Sequence, residues 1–163
     1  MKSLTSEVFN FDGRDITLNW YAGSSVPNIK VSQVSAFCIY QGKLVIVRNK
    51  RGWTIPGGHP ENGETIDTAL ERELEEEADI KKGFEAKIIG WMKVSDPLND
   101  GREGKESAQI RFLVVTNELP EFVPDDEIFE RKLINIDEFD QYISWASSPT
   151  GKAQITTLKD NLR

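Results

Sequence analysis

The sequence predicts a mixed α+β fold. Three observations predict it. Strand-type apolar runs stand on both sides of one strongly amphipathic helix. The main element order reads β-β-loop-α-β-β-β-α, with too few helices for a doubly wound parallel sheet. The length, 163 residues, suits one domain, with residues 1–33 as a lead segment.

The elements follow in chain order. Val8–Phe11 and Ile16–Tyr21 flank Asp12-Gly13, a two-residue turn signal, so the lead segment predicts a short hairpin. Ser24–Asn28 reads as a loop. Val34–Arg48 reads as two strands around Gln41-Gly42. Residues 51–64, RGWTIPGGHPENGE, hold four Gly and two Pro and predict a long irregular connection. A helix is expected from about Thr65 to Ala78, because Ile66, Ala69, Leu70, Leu74 and Ala78 share one face. Lys81-Lys82-Gly83 should end it, with cations near the negative pole and a glycine beyond. Ala86–Met92 and Gln109–Thr116 read as strands around a polar loop. Residues 117–127, with two Pro and five acids, read as another loop. Glu130–Ile136 is a last strand, Ile136–Trp145 a short helix, and Pro149–Leu162 a C-terminal helix.

Composition narrows the function. Hydrophobic residues are 38% and charged residues 29%, with eight Phe, four Trp and three Tyr to fill a core. The net charge of −7 argues against general nucleic-acid binding through a cationic surface. It leaves room for a small phosphorylated ligand, because a bound divalent metal reverses the local sign. The single cysteine, Cys38, cannot form an intrachain disulfide and reads as a buried small hydrophobe. No apolar run approaches the ~18 residues of a membrane helix. The N-terminus has no apolar core of a secretory signal. The expectation is a cytoplasmic protein without membrane partners.

The chemistry gathers on the predicted helix and the loop before it. Glu73, Glu76 and Glu77 stand at i, i+3 and i+4, which brings their carboxylates to one surface patch. Glu71 and Glu75 add negative charge, and Arg72 alone does not offset it. Hard divalent cations take several carboxylate oxygens, and Mg²⁺ keeps part of its shell for water or substrate phosphate. Such a cation bridges a diphosphate and lowers the pKa of water. Gly57 and Gly58 let backbone approach a metal or phosphate with no Cβ in the way. By itself, an acidic helix run also reads as a plain solvated face.

The stretch from Gly58 to Ile80 resembles the Nudix signature, Gly-x5-Glu-x7-Arg-Glu-U-x-Glu-Glu-x-Gly-U, where U is aliphatic. Gly58, Glu64, Arg72-Glu73-Leu74, Glu76-Glu77 and Ile80 match it in type and spacing. Asp79 stands where the pattern has its second glycine, and Asp tolerates the left-handed backbone a glycine would supply there. Trp53–Gly58 also looks like the family's approach to this box.

The resemblance implies an α/β/α sandwich around a mixed sheet, with the catalytic loop–helix–loop at residues 58–80. It implies hydrolysis of a nucleoside diphosphate linked to another moiety, using Mg²⁺ or Mn²⁺. Carried over by motif position, Glu73, Glu76, Glu77 and the Gly57 carbonyl are implied as metal ligands. Glu64 and Arg72 are implied as a support pair, either orienting the carboxylates or simply shaping the loop. The general base stays open between Glu76 or Glu77 inside the box and Glu127 outside it, with Glu103 and Glu106 as rivals. Arg48, His59 and Gly58 are the candidate substrate contacts. Trp53, Phe37 and Tyr40 either stack on a base or fill the core. The expected partner is a small nucleotide; a homodimer is a common state for such families. A nucleotide-binding module that does not hydrolyse is the alternative.

Overall fold

The computed structural model describes residues 5–101 and 104–163. Its strands are β1 (Thr5–Phe11), β2 (Arg14–Ala22), β3 (Val31–Tyr40), β4 (Lys43–Asn49), β5 (Gly52–Thr54), β6 (Gly57–Gly58), β7 (Glu85–Ser95), β8 (Glu106–Thr116) and β9 (Glu130–Ile134). The helices are α1 (Ile66–Ala78), α2 (Phe139–Tyr142) and α3 (Pro149–Asn161). The strands form one mixed sheet in the order β1-β2-β7-β8-β3-β4-β5, with β6 pairing β3 and β9 pairing β4. Only β3 and β8 run parallel among the described pairs. The expected mixed α+β sandwich is the fold observed.

Both tight turns form where the sequence placed them. Asp12 and Gly13 have φ of 52° and 80°; Gln41 and Gly42 have 50° and 76°. Two successive left-handed residues give the turn whose twist matches paired strands. The lead segment is therefore a true hairpin, and it extends the sheet by pairing β2 with β7.

β3 divides the core by its period of two. Val34, Ala36 and Cys38 face α1, packing with Ala69, Leu70, Leu74 and Ala78. Phe37 and Ile39 face the other way, against Phe139, Ile143 and Leu158. α1 thus covers one face and the C-terminal helices the other. Phe37 meets Phe139 edge-on at 6.0 Å and belongs to the core. Tyr40 packs, partly buried, beside the α1 cluster. Cys38 is fully buried, and burial pushes its thiol far up.

Some element boundaries differ from expectation. The connection at 51–64 contains the short strands β5 and β6, because its glycines let backbone pair directly with β4 and β3. α1 ends at Ala78 as expected, but the residues that cap it are not Lys81-Lys82-Gly83. Asp79 takes the left-handed position, with φ 54° and ψ 32°, and its N–H donates to Leu74 and Glu75 carbonyls. The cation at the negative pole comes from β9: Arg131 Nη1 donates to the Ala78 carbonyl at 2.6 Å. Lys82 makes only a long contact of 3.8 Å to Glu71. β7 and β8 run further into the polar loop than predicted, and β9 stops at Ile134. The helix expected over 136–145 is a 3₁₀ turn, Ile136–Glu138, followed by the short α2.

Candidate active site

α1 begins at a capping box. The Thr65 hydroxyl accepts the Thr68 N–H at 3.1 Å, and the Thr68 hydroxyl accepts the Thr65 N–H at 2.9 Å. This fixed start sets the rotation of the helix. Glu73 then falls on the buried side and Glu76 on the solvent side.

The helix meets β6 through two carboxylates. The Gly57 N–H donates to Glu77 Oε1 at 2.9 Å. Gly58 lies under Glu73: a Cβ there would stand 2.3–2.6 Å from three atoms of the Glu73 carboxylate. A Cβ at Gly57 would instead strike the Val34 carbonyl oxygen and the Ser35 Cα and Cβ at 2.3–2.6 Å. Close approach is thus the reason for glycine at both positions, from two different neighbours.

Arg72 binds the box together. Its Nε and Nη2 donate to the two Glu64 oxygens at 2.8 and 2.9 Å. Nη1 donates to Glu73 at 2.9 Å and Glu76 at 3.1 Å, and Nη2 to the His59 carbonyl at 3.1 Å. The fork geometry of guanidinium makes this five-bond role one that lysine cannot fill. The Arg72 hydrogen bond, helped by the Glu61 N–H, holds the Glu64 carboxyl down at about 2. Burial pushes Glu73 upward against the pull of Arg72. Burial pushes Glu77 up to about 7 against the Gly57 N–H, and the charges of Glu73, Glu127 and Glu76 add to the rise.

The remaining predicted residues separate. Glu127 is exposed on the loop before β9, close enough for its charge to act on Glu77. Its N–H and that of Ile128 donate to the Asp125 carboxylate at 2.8 and 2.7 Å, which fixes the turn. A hollow of about 240 Å³ joins Asp126 and Glu127 to Lys50 and Arg51. His59 Nδ1 lies 2.6 Å from the Ser32 carbonyl; a carbonyl only accepts, so Nδ1 carries the proton. His59 therefore ties the loop to β3. Arg48 is held by Glu130 at 3.3 Å and lies over the rings of Trp53 and Phe129, with no bond to the box carboxylates. Trp53 also packs edge-on with Tyr142 at 5.8 Å. Glu106 sits on β8 and pairs with Lys93 at 3.4 Å. Glu103 lies outside the described residues.

Among the described residues, no three His, Cys, Asp or Glu side chains already converge as a metal shell. Glu73 and Glu76 both turn to Arg72, and Glu77 turns to Gly57. The donor set still fits a hard cation: every side chain is a rotatable carboxylate, and the glycine backbone leaves the space beside Glu73 without a Cβ.

A second feature escaped the sequence reading. A cavity of about 490 Å³ opens beside β6, on the α3 side of the sheet, and Arg111 of β8 lines it. Arg111 is 6% exposed. Its Nε donates to Gln154 at 2.9 Å, its Nη1 to Ser35 at 2.9 Å and Gln33 at 3.1 Å, and its Nη2 to Gln109 at 3.1 Å. Burial without a counter-ion pushes its pKa down to about 10. The only sequence signal was one arginine inside the apolar run of β8.

The chain belongs to the NUDIX family, whose domain model matches residues 30–153. Members of this family generally use divalent metal ions. No curated protein sequence matches the chain significantly. Its fold is similar to that of the Bacillus subtilis pyrophosphohydrolase BsRppH, with TM-score 0.70 and 18% identity over 90% of this chain and 92% of that one. It is also similar to the Ap4A hydrolase of C. elegans, with TM-score 0.59 and 17% identity over 81% and 97%. The NUDIX domain of Shewanella oneidensis NrtR, complexed with ADP ribose, gives TM-score 0.62 and 12% identity over 83% and 90%. At these identities the likeness is one of fold.

Proposed function

We propose that this chain hydrolyses the diphosphate linkage of a nucleoside diphosphate joined to another moiety, by water attack at phosphorus. The observation that carries the reading is the clasp between β6 and α1, where Gly57 and Gly58 face the carboxylates of Glu77 and Glu73. The proposed setting is the cytoplasm, where the lone thiol stays reduced.

Glu73, Glu76, Glu77 and the Gly57 carbonyl would hold Mg²⁺, or Mn²⁺ in its place. When bound, the cation supplies Lewis acidity and neutralises charge on the departing phosphate. Arg72 orients Glu73 and Glu76, and Glu64 fixes Arg72. His59 anchors the loop and offers its carbonyl to the same guanidinium. Glu127 is the proposed base outside the box, taking the proton of the attacking water. Arg48 and Gly58 remain proposed substrate contacts, Gly58 through its open backbone. Products would be a nucleoside monophosphate and the phosphorylated partner, or pyrophosphate from a nucleoside triphosphate.

The three similar proteins carry three different names for what they act on or bind, so the fold leaves the substrate open. The test is a coupled phosphate-release screen over nucleoside triphosphates, ADP-ribose, nucleotide sugars and dinucleoside polyphosphates with Mg²⁺ or Mn²⁺, in which an added phosphomonoesterase, or for the triphosphates an inorganic pyrophosphatase, frees phosphate from the products. Hydrolysis of one class, lost in the Glu76→Gln, Glu77→Gln double variant, supports the reading. Nucleotide binding without hydrolysis of any member replaces it with a binding module.

A further inference from the structure

The carboxylate chemistry makes no use of Arg111 or its cavity. A buried ion without its opposite charge is costly, and an apolar side chain of similar volume usually serves stability as well or better. Among the described residues, Arg111 has no carboxylate within ion-pair distance, and its hydrogen-bond acceptors are neutral oxygens. The Trp145 ring lies 5.8 Å from its guanidinium carbon, a contact weaker than the pairing a carboxylate would give a buried charge.

We propose that the cavity is a nucleobase site selective for an oxo-purine of guanine type, read by Arg111 and Glu7. The inference rests on the nucleotide reading above and names the base. Its volume, about 490 Å³, falls in the ~300–1,000 Å³ range of small-ligand pockets. Phe9, Leu18, Met92 and Trp145 line it and offer apolar faces to a planar ring.

Its polar lining is lopsided. Arg111 can only donate, so Gln33, Gln109 and Gln154 must turn their oxygens to it. Each carboxamide then directs its NH₂ group elsewhere. Guanidinium has five N–H groups, and four have acceptors among the described residues, which leaves one on Nη2. This side of the cavity is rich in donors. Glu7 is the carboxylate of the lining; one of its oxygens accepts the Thr150 N–H at 2.7 Å. A phosphate would meet repulsion from Glu7. A purine with a carbonyl at C6 offers O6 as an acceptor to that remaining arginine N–H, and offers N–H donors on its other edge to a carboxylate. Adenine presents an amino donor where the arginine also donates.

The cavity adjoins the strand of the clasp along the chain and across the ladder. Thr54 and Ile55 line it and lead through Pro56 into Gly57. Ser35 accepts from Arg111 and is the ladder partner of Gly57. The proposal seats the base on the α3 face and directs its phosphates past Ser35 and Gly57 toward the box.

The experiment is isothermal titration of GMP, IMP and AMP into the full chain without divalent metal. GMP and IMP are expected to bind about tenfold or more tighter than AMP, the smaller end of base discrimination by one arginine contact. Arg111→Met should abolish that preference while the melting curve stays cooperative. If that variant does not fold, Glu7→Gln serves: GMP should weaken several-fold and AMP should not. Equal affinity for GMP and AMP, no binding of any of the three at millimolar concentration, or selectivity kept in a folded variant overturns the proposal. None of these readouts needs hydrolysis. A chain that binds GMP selectively but cleaves nothing refutes the hydrolase reading alone. A chain that cleaves nucleotides regardless of base refutes this one alone.

Discussion

Adding one methyl group at Gly58 tests the clasp. The new Cβ would stand 2.3 Å from Glu73 Oε1, against ordinary contact at 3.4 Å or more. The φ of Gly58 is not in the left-handed region, so the backbone accepts alanine. The carboxylate must therefore withdraw by about 1 Å. That stretches the Arg72–Glu73 bond, now 2.9 Å, beyond hydrogen-bonding range. A hydrogen bond to a charged group is worth about 1.5–3 kcal/mol. The lost backbone freedom of the unfolded chain returns about 0.4–1 kcal/mol. The net cost is about 1–2 kcal/mol, or about 2–8 °C in Tm for a chain of this size. Activity should suffer more, because a displacement of ~1 Å in a positioned group costs about 10²-fold. Gly58→Ala is thus expected to lose about 100-fold in kcat/KM with a small fall in Tm. Gly57→Ala should do the reverse in emphasis, since its Cβ meets backbone that cannot withdraw; its Tm should fall much further. The assay is hydrolysis of the substrate found by the panel, alongside thermal melting of both variants. Activity of Gly58→Ala within about threefold of the parent, or a Tm loss equal to that of Gly57→Ala, would refute this account of the clasp.

Three other outcomes follow from single residues. Glu127→Gln should lower kcat by about 10²–10⁴-fold with an unchanged melting curve, because Glu127 is exposed; an unchanged kcat removes it as the base. Asp79→Ala should cost about 1–2 kcal/mol in denaturant unfolding, since alanine pays for the left-handed backbone and forfeits the 2.9 Å bond from the Val123 N–H; Asp79→Gly should cost less, and the opposite order would sink the cap assignment. Glu64 has a folded pKa of about 2, below its ordinary 4.5, so its contribution is complete above about pH 4.5 and is lost as pH falls through about 2. The Tm gap between the parent and Glu64→Gln should therefore be constant at neutral pH and shrink below pH ~4.5; a gap that widens in acid contradicts the Arg72 pairing.

Short-range features were legible because short-range physics makes them. Asp12-Gly13 and Gln41-Gly42 accept left-handed backbone, so both hairpins followed from two residues each. The period of Ala69, Leu70, Leu74 and Ala78 fixed the buried face of α1, and with it the side on which Glu73, Glu76 and Glu77 emerge. The end of α1 at Ala78 was legible, but its cap was not, because the cation there, Arg131, comes from β9, more than fifty residues away. β5 and β6 were missed because such short segments have no periodicity of their own; their partners on β4 and β3 create them. The partner of Arg48, Glu130, was not legible either, because only the pairing of β4 with β9 brings the two together.

The sequence by itself determined the family, the loop–helix–loop of residues 58–80 and the pairing of Arg72 with Glu64, since these lie within one loop and one helix. Only the tertiary structure decided what surrounds Arg111. Its acceptors come from β3, from β8 and from α3, up to 78 positions apart. They meet because β3 runs parallel to β8 and α3 packs across the sheet, and contacts so distant in sequence leave no local pattern to read.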